Sequence, residues 1–270
     1  MTIRRLGPDE LPACQKLEQD RDWGTDAAKW QLMFDAGEVY GVDAPDGDGL
    51  AACVVLSVYG EELAAVGMML VATRYGRQGL GTLLMRHALD RAGSRVVELT
   101  ATRFGRPVYE RLGFTVTGGL TVMTGPLPGS TAPGVRRATR DDHAAILAMD
   151  AAATGADRSI LLTALLARAE SVVLADDGFA IAWNPGESRV IGPVVAPNEV
   201  VARDLILAAA DGADRDVRLD VLDAHAGLRP WLNDLGVSGG DNVLATMVHG
   251  AATHPGDRTA YAAPLLISMG

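Results

Sequence analysis

Apolar positions along the first half of the chain fall into two periods. Residues 51–59 and 63–71 are almost unbroken apolar runs of β-compatible residues, separated by Gly60-Glu61-Glu62. Runs of that length flanking a short glycine-containing polar turn predict a hairpin whose strands are buried. Residues 72–79 turn polar and glycine-containing, and beyond them Leu80, Leu83, Leu84 and Ala88 recur at the spacing of one helix face. Residues 96–100 read as another strand. A short helix follows over 107–112, with Pro107 near its first position and Gly113 just past its end. Residues 115–122 then return to strand character. Helices, a hairpin and a strand–loop–helix unit make a mixed α+β domain.

The pattern occurs twice. Ile3-Arg4-Arg5-Leu6 ahead of Asp9-Glu10 matches Val135-Arg136-Arg137-Ala138 ahead of Asp141-Asp142. In each copy a short strand runs into an acidic helix start, where carboxylates favour the positive end of the helix dipole. Pro107-Val108-Tyr109 before Leu112-Gly113-Phe114 likewise matches Pro230-Trp231-Leu232 before Leu235-Gly236-Val237. The stretch from Pro126 to Pro133 is rich in Pro, Gly, Ser and Thr and reads as a linker. The expected organisation is therefore a first domain over 1–127, a linker over 128–134 and a second domain over 135–270. A chain of 270 residues accommodates two such units.

Composition narrows the function classes. The net charge of −10 argues against binding a nucleic-acid backbone and favours the approach of a cationic partner. The longest apolar run, 63–72, is too short to span a bilayer, and no apolar stretch follows the basic N-terminal residues, so a cytoplasmic protein is expected. Cys14 and Cys53 are the only cysteines; both sit in apolar patterns and read as small core residues. His143, His225, His249 and His254 lack metal-ligand spacing, so no metal is expected.

The chemistry concentrates between Val66 and Thr82. A strand delivers the chain to Gly76-Arg77-Gln78-Gly79-Leu80-Gly81-Thr82, which opens a helix. Free N–H groups at a helix start, with the dipole behind them, suit a pyrophosphate, and Gly79 and Gly81 let the backbone approach it closely. Neither a Walker loop nor a G-x-G-x-x-G fingerprint is present. The run from Val66 through Leu84 resembles the acetyl-CoA signature of the GNAT superfamily, whose core is Arg/Gln-x-x-Gly-x-Gly/Ala. Residues 99–114, from Leu99-Thr100-Ala101-Thr102 to Leu112-Gly113-Phe114, resemble the second GNAT motif in order and spacing. The whole chain, Ile191-Gly192-Pro193-Val194 included, is similar to two-domain bacterial GNAT proteins with a degenerate second domain. The chain departs at one position: the first motif residue is Gly76, with Arg77 or Arg74 available to supply charge.

The resemblance implies tandem α+β domains, each a mixed, mostly antiparallel sheet flanked by helices. It implies acetyl-CoA as co-substrate, bound by Met69, Leu70, Val71, Arg77, Gln78, Gly79, Leu80, Gly81 and Thr82. The Met69 N–H would polarise the thioester carbonyl, Val71 would pair with the pantetheine arm, and Tyr109 would protonate the departing thiolate; the alternative for Tyr109 is a packing residue bonded to backbone. No residue clearly marks the general base. Glu61 and Glu62 read better as a solvated turn, Asp20, Asp22 and Trp23 stand only by position, and His87 falls on the buried helix face. The second copy has Ala196-Pro197-Asn198-Glu199 at the loop and Leu232 at the tyrosine position. It is expected to bind no CoA and to support the first domain or shape the acceptor pocket, with 262–269 completing a shared sheet. An N-acetyltransferase working by direct transfer to a small, cationic amine leads. A non-catalytic acyl-CoA sensor and a purely structural protein remain open, as do monomer and homodimer.

Overall fold

The chain alternates short strands and helices through two similar halves. The computed structural model describes residues 2–269, apart from the side chains of residues 241 and 242. The first half runs β1 (Ile3–Arg5), α1 (Leu11–Asp20), α2 (Ala27–Ala36), β2 (Glu38–Asp43), β3 (Leu50–Tyr59), β4 (Leu63–Val71), α3 (Leu80–Ala92), β5 (Val96–Ala101), α4 (Arg106–Arg111) and β6 (Thr115–Gly125). The second runs β7 (Arg136–Arg137), α5 (His143–Thr154), α6 (Ser159–Leu166), β8 (Ala169–Ala175), β9 (Gly178–Trp183), β10 (Arg189–Val195), α7 (Glu199–Ala210), β11 (Val217–Leu222), α8 (Leu228–Asp234), β12 (Ser238–His249) and β13 (Tyr261–Ala263). The fold is α+β, a mixed and mostly antiparallel sheet flanked by helices. The hairpin turns at Gly60-Glu61-Glu62, as its pattern predicts.

All thirteen described strands join one sheet, in the order β1-β2-β3-β4-β5-β12-β6-β11-β10-β9-β8-β7, with β13 paired to β10. The halves are joined by exchange. The second half's β12 lies between β5 and β6, with Ala245 opposite Ala101 and His249 opposite Val97. The first half's β6 in turn pairs with β11, from Leu120 opposite Leu222 to Gly125 opposite Val217. Each half thus covers a strand edge that the other would leave open, which removes a template for aggregation. The expected strand over 262–269 is shorter than its apolar character suggests. β13 stops at Ala263, and residues 264–269 cross back to β4 as irregular chain, where a Cβ on Gly67 would overlap the Ser268 backbone.

Two pairs in the sheet are parallel, β4 with β5 and β10 with β11. A parallel pair needs a crossover, here α3 and α7, so each half places a helix start at the end of an inner strand. α3 buries Leu80, Leu84, Met85, Ala88 and Ala92, while Leu83 faces solvent at the edge of the apolar stripe. A buried ion pair of the second half packs against the first through Tyr59. Arg158 grips Asp150 bidentately (Nε–Oδ2 2.9 Å, Nη2–Oδ1 2.6 Å) and its guanidinium lies over the rings of Tyr59 and Tyr261. Burial this complete is tolerable because the charges satisfy one another.

Candidate active site

The site begins where β4 and β5 part. Their ladder runs from Leu63 opposite Val96 to Val66 opposite Leu99 and then stops. On the other side of β4, Leu70 pairs with Cys53 and Gly67 with Val55, so Met68 and Met69 together face Val54. That extra residue is a β-bulge, and Met68 takes φ +47° to make it. Beyond the bulge, the edge of β4 that faces β5 is open main chain. Met69, Leu70 and Val71, the strand residues singled out in the sequence, all lie on this segment.

Past Val71 the chain makes a short 3-10 turn and enters α3 through exposed residues 76–79. Gly79 is the N-cap with φ +83°, a left-handed conformation that a Cβ would strain, and no side chain caps the helix. The first N–H groups of α3, around Leu80, Gly81 and Thr82, are therefore available to an anion. Arg77 also has positive φ, and its side chain makes no ion pair among the described residues. Arg74 is engaged elsewhere: it bonds Asp48 (Nη1–Oδ2 3.1 Å, Nη2–O 2.7 Å) and stacks over Tyr75, leaving Arg77 as the cation at the loop. The turn itself is held by α1. Asp20 accepts the Thr73 N–H at 2.6 Å, so this carboxylate positions the loop.

The second half makes the opposite choice at the same place. Asn198 caps α7, its side-chain oxygen accepting from Val200 and Val201 N–H at 3.0 and 3.1 Å. Glu199 adds a carboxylate packed against Gly227, and the residue matching Tyr109 is the fully buried Leu232. Donors that α3 leaves open are consumed in α7, and a carboxylate, Glu199, ion-paired to Arg203, stands at its first turn.

Tyr109, on α4, is half-buried and packs on Phe114 with ring centroids 6.0 Å apart. Among the described residues its hydroxyl has no hydrogen-bond partner, which removes the backbone-anchored packing role. Burial pushes its pKa up to about 12, so it stays a donor at any ordinary pH. Glu61 and Glu62 sit at the far end of β4, eight and seven residues before Met69, on the order of 25 Å along an extended strand. Glu61 is 89% exposed and paired to Arg95, so the turn is solvated and distant from the bulge. His87 packs edge-on to Tyr40 at 4.4 Å. Cys14 and Cys53 are wholly buried, and the neighbouring Cys14 thiol together with burial pushes Cys53 well above the ordinary thiol range.

A cavity of about 410 Å³ opens at the parting point. Ala65, Val66, Leu99 and Thr100 bring β4 and β5 to it, β6 and β12 contribute Thr117 and Thr246, and Leu266 and Ile267 close it from the crossing segment. Its lining is mainly apolar, with Glu98, His254 and Arg258 as a charged cluster on one side. Sequence reasoning missed these three. The available signal was Glu98 itself, a carboxylate inside the buried strand run Val96-Val97-Glu98-Leu99.

Comparison with known proteins agrees with this geometry. A family model described as the acetyltransferase (GNAT) family matches residues 5–114, and one described as an acetyltransferase (GNAT) domain matches residues 146–262. An uncharacterized N-acetyltransferase of Bacillus subtilis, YitH, is 26% identical over 226 residues, covering 80% of this chain and 79% of that protein. A putative acetyltransferase from Pyrococcus horikoshii shares the fold with a TM-score of 0.81 at 20% identity, over 100% of this chain and 95% of that one. A GCN5-related N-acetyltransferase from Sphaerobacter thermophilus does so with a TM-score of 0.66 at 17% identity, over 94% and 96%. With a GNAT match in each half, an N-acetyltransferase relative along most of its length and a parted β4–β5 pair leading to an uncapped helix, the chain belongs to the GNAT superfamily of N-acetyltransferases and carries two GNAT domains in tandem.

Proposed function

We propose that the protein transfers the acetyl group of acetyl-CoA directly to a small primary amine, with the acetyl-CoA site in the first half. The pyrophosphate would lie on the N–H groups of Gln78 to Thr82 with Arg77 beside it, and the pantetheine arm along the open edge of β4 at Leu70 and Val71. The thioester carbonyl would take the Met69 N–H, a donor fixed by the bulge before any charge develops. Tyr109 would donate to the departing sulfur. The amine would approach from the cavity, whose volume suits a compact molecule and whose apolar lining suits a hydrocarbon body. The observation that carries this reading is the end of the β4–β5 ladder at Val66 and Leu99, which the cavity reaches, with the bulge at Met68 and Met69 following directly along β4. A substrate entering from each side would meet there, as transfer in a ternary complex requires. Use of acetyl-CoA would place the protein in the cytoplasm, as a monomer or homodimer.

The experiment is CoASH release from acetyl-CoA across a panel of arylalkylamines, alkylamines, amino sugars, polyamines and short peptides, with the N-acetyl product identified by mass. The expected result is turnover of compact monoamines and little of peptides. Turnover of peptides alone would contradict the cavity as acceptor site, and binding without release on any amine would contradict transfer.

A further inference from the structure

Among the described residues no hydrogen bond or ion pair places a carboxylate at the bulge to take the proton from the amine, yet an alkylamine is a protonated, non-nucleophilic ammonium at neutral pH. The charged cluster on the cavity wall contains a group suited to that task. Glu98 lies in the middle of β5, one residue before the ladder ends, and its side chain is 5% exposed. His254 approaches from the segment after β12, its Nδ1 2.7 Å from Glu98 Oε2. Arg258 Nη2 donates to the same oxygen at 2.9 Å, while Glu98 Oε1 has no partner among the described residues. The other ring nitrogen, Nε2, lies 2.8 Å from the Thr117 hydroxyl, and Thr117 is also 3.2 Å from the Thr246 carbonyl. All of Glu98, Thr117, Thr246, His254 and Arg258 line the cavity.

The chemistry of the cluster assigns the tautomer. Burial pushes the Glu98 carboxyl up, but the charge of Arg258 and the bond from His254 outweigh it and hold the group down at about 2. An ionised carboxylate accepts only, so Nδ1 carries the proton and Nε2 keeps its lone pair. With Nε2 unprotonated, Thr117 donates its hydroxyl to it, and rotation of the exposed Thr117 side chain would move that oxygen aside and open Nε2 to another donor. The other charged groups near the ring are balanced: Asp223 on the cavity wall is paired to Arg229, and Arg158 behind Tyr261 to Asp150.

Resting on the proposed acetyl transfer, we propose that His254 is the general base that deprotonates the acceptor amine, and that Glu98 is its positioning residue. The ammonium gives one proton to Nε2, and Glu98 stabilises the resulting imidazolium. The freed nitrogen lone pair forms the C–N bond, the C–S bond breaks, and the nitrogen's second proton leaves with the sulfur as CoASH. His254 then returns its proton to solvent, so the net products are amide, CoASH and one proton. A residue of the second half thus completes the site in the first, which gives the tandem arrangement a chemical reason.

The test compares His254→Gln with wild type on two acceptors at neutral pH: benzylamine, which is protonated, and hydroxylamine, which is largely neutral. Loss of a general base lowers rate by roughly 10²–10⁴-fold, so benzylamine turnover should fall at least about a hundredfold and recover as pH rises. Hydroxylamine, needing no prior deprotonation, should lose about tenfold or less. Glu98→Gln should lower kcat for benzylamine with little change in KM and should displace the lower limb of the pH–rate profile. Stabilisation of both variants by acetyl-CoA must persist; its absence in wild type as well would indict the transferase reading and not the base. Equal losses on both amines, or a benzylamine rate within twofold of wild type, would overturn the assignment. Long-range 1H–15N NMR decides independently of turnover: the neutral His254 ring should be protonated at Nδ1 and bare at Nε2, and the reverse tautomer would overturn the proposal.

Discussion

Replacing Tyr109 by Phe separates catalysis from packing more cleanly than any other single change. The hydroxyl has no partner among the described residues, so deleting it leaves no stranded donor or acceptor. Folding stability should change by about 0.5 kcal/mol or less, which at this chain length moves Tm by about 2 °C at most. The catalytic effect follows from the raised phenol. With a pKa near 12, only about three molecules in a hundred thousand are ionised at pH 7.5, so the donor is essentially always present. The phenolate of so weak an acid is more basic than an ordinary thiolate (thiol pKa about 8.5), so full proton transfer to sulfur is uphill. Its contribution is then a hydrogen bond to developing negative charge, worth about 1.5–3 kcal/mol. That corresponds to a fall in kcat of roughly 10- to 150-fold, with KM for acetyl-CoA little changed. The assay is CoASH release by thiol titration beside thermal unfolding. A large Tm loss with kcat intact, or a shift in KM alone, would refute the role.

Other consequences can be checked in the same protein. Gly67→Ala should drive a Cβ into the Ser268 backbone, costing about 1–3 kcal/mol by overpacking; hydrogen exchange over residues 264–269 should speed up, and unchanged exchange would contradict the close approach. Asp150→Asn removes the bidentate partner of buried Arg158 and should cost about 3–5 kcal/mol in denaturant unfolding; a loss below about 1 kcal/mol would show that the buried charge does not depend on this partner. Glu98 has a folded pKa of about 2 against an ordinary 4.5, so the stability it contributes is full above about pH 5 and is lost as pH falls toward 2. The difference in unfolding free energy between wild type and Glu98→Gln should shrink by roughly 3 kcal/mol across that window; a pH-independent difference would contradict the lowered pKa.

Elements set by local pattern were legible in the sequence: the β3–β4 hairpin, the glycine entry to α3 and the short α4 before Gly113 all follow from periodicity and turn residues. What escaped is what depends on partners far along the chain. Nothing in the residues of β6 or β12 states that each pairs across to the other half, because strand exchange changes neighbours without changing pattern. The irregular path of 264–269 escaped for the same reason, since its apolar residues serve β4 and the cavity and not a ladder. Asp20 looked like an exposed carboxylate near the acceptor side, and only the fold reveals its bond to Thr73. His254 carried no spacing signal at all; it reaches Glu98 across 156 residues of sequence.

The central claim is that acetyl-CoA sits on the uncapped start of α3, and thermal unfolding of wild type and Gly79→Glu with and without acetyl-CoA tests it most directly. At a hundredfold excess over Kd, binding should stabilise wild type by about 2.7 kcal/mol, a rise in Tm of roughly 5–10 °C. The variant, with a carboxylate where the pyrophosphate would lie, should show no rise, while Glu199→Gln at the capped α7 should respond like wild type. A wild-type Tm unmoved by acetyl-CoA, or an equal rise in Gly79→Glu, would contradict the account.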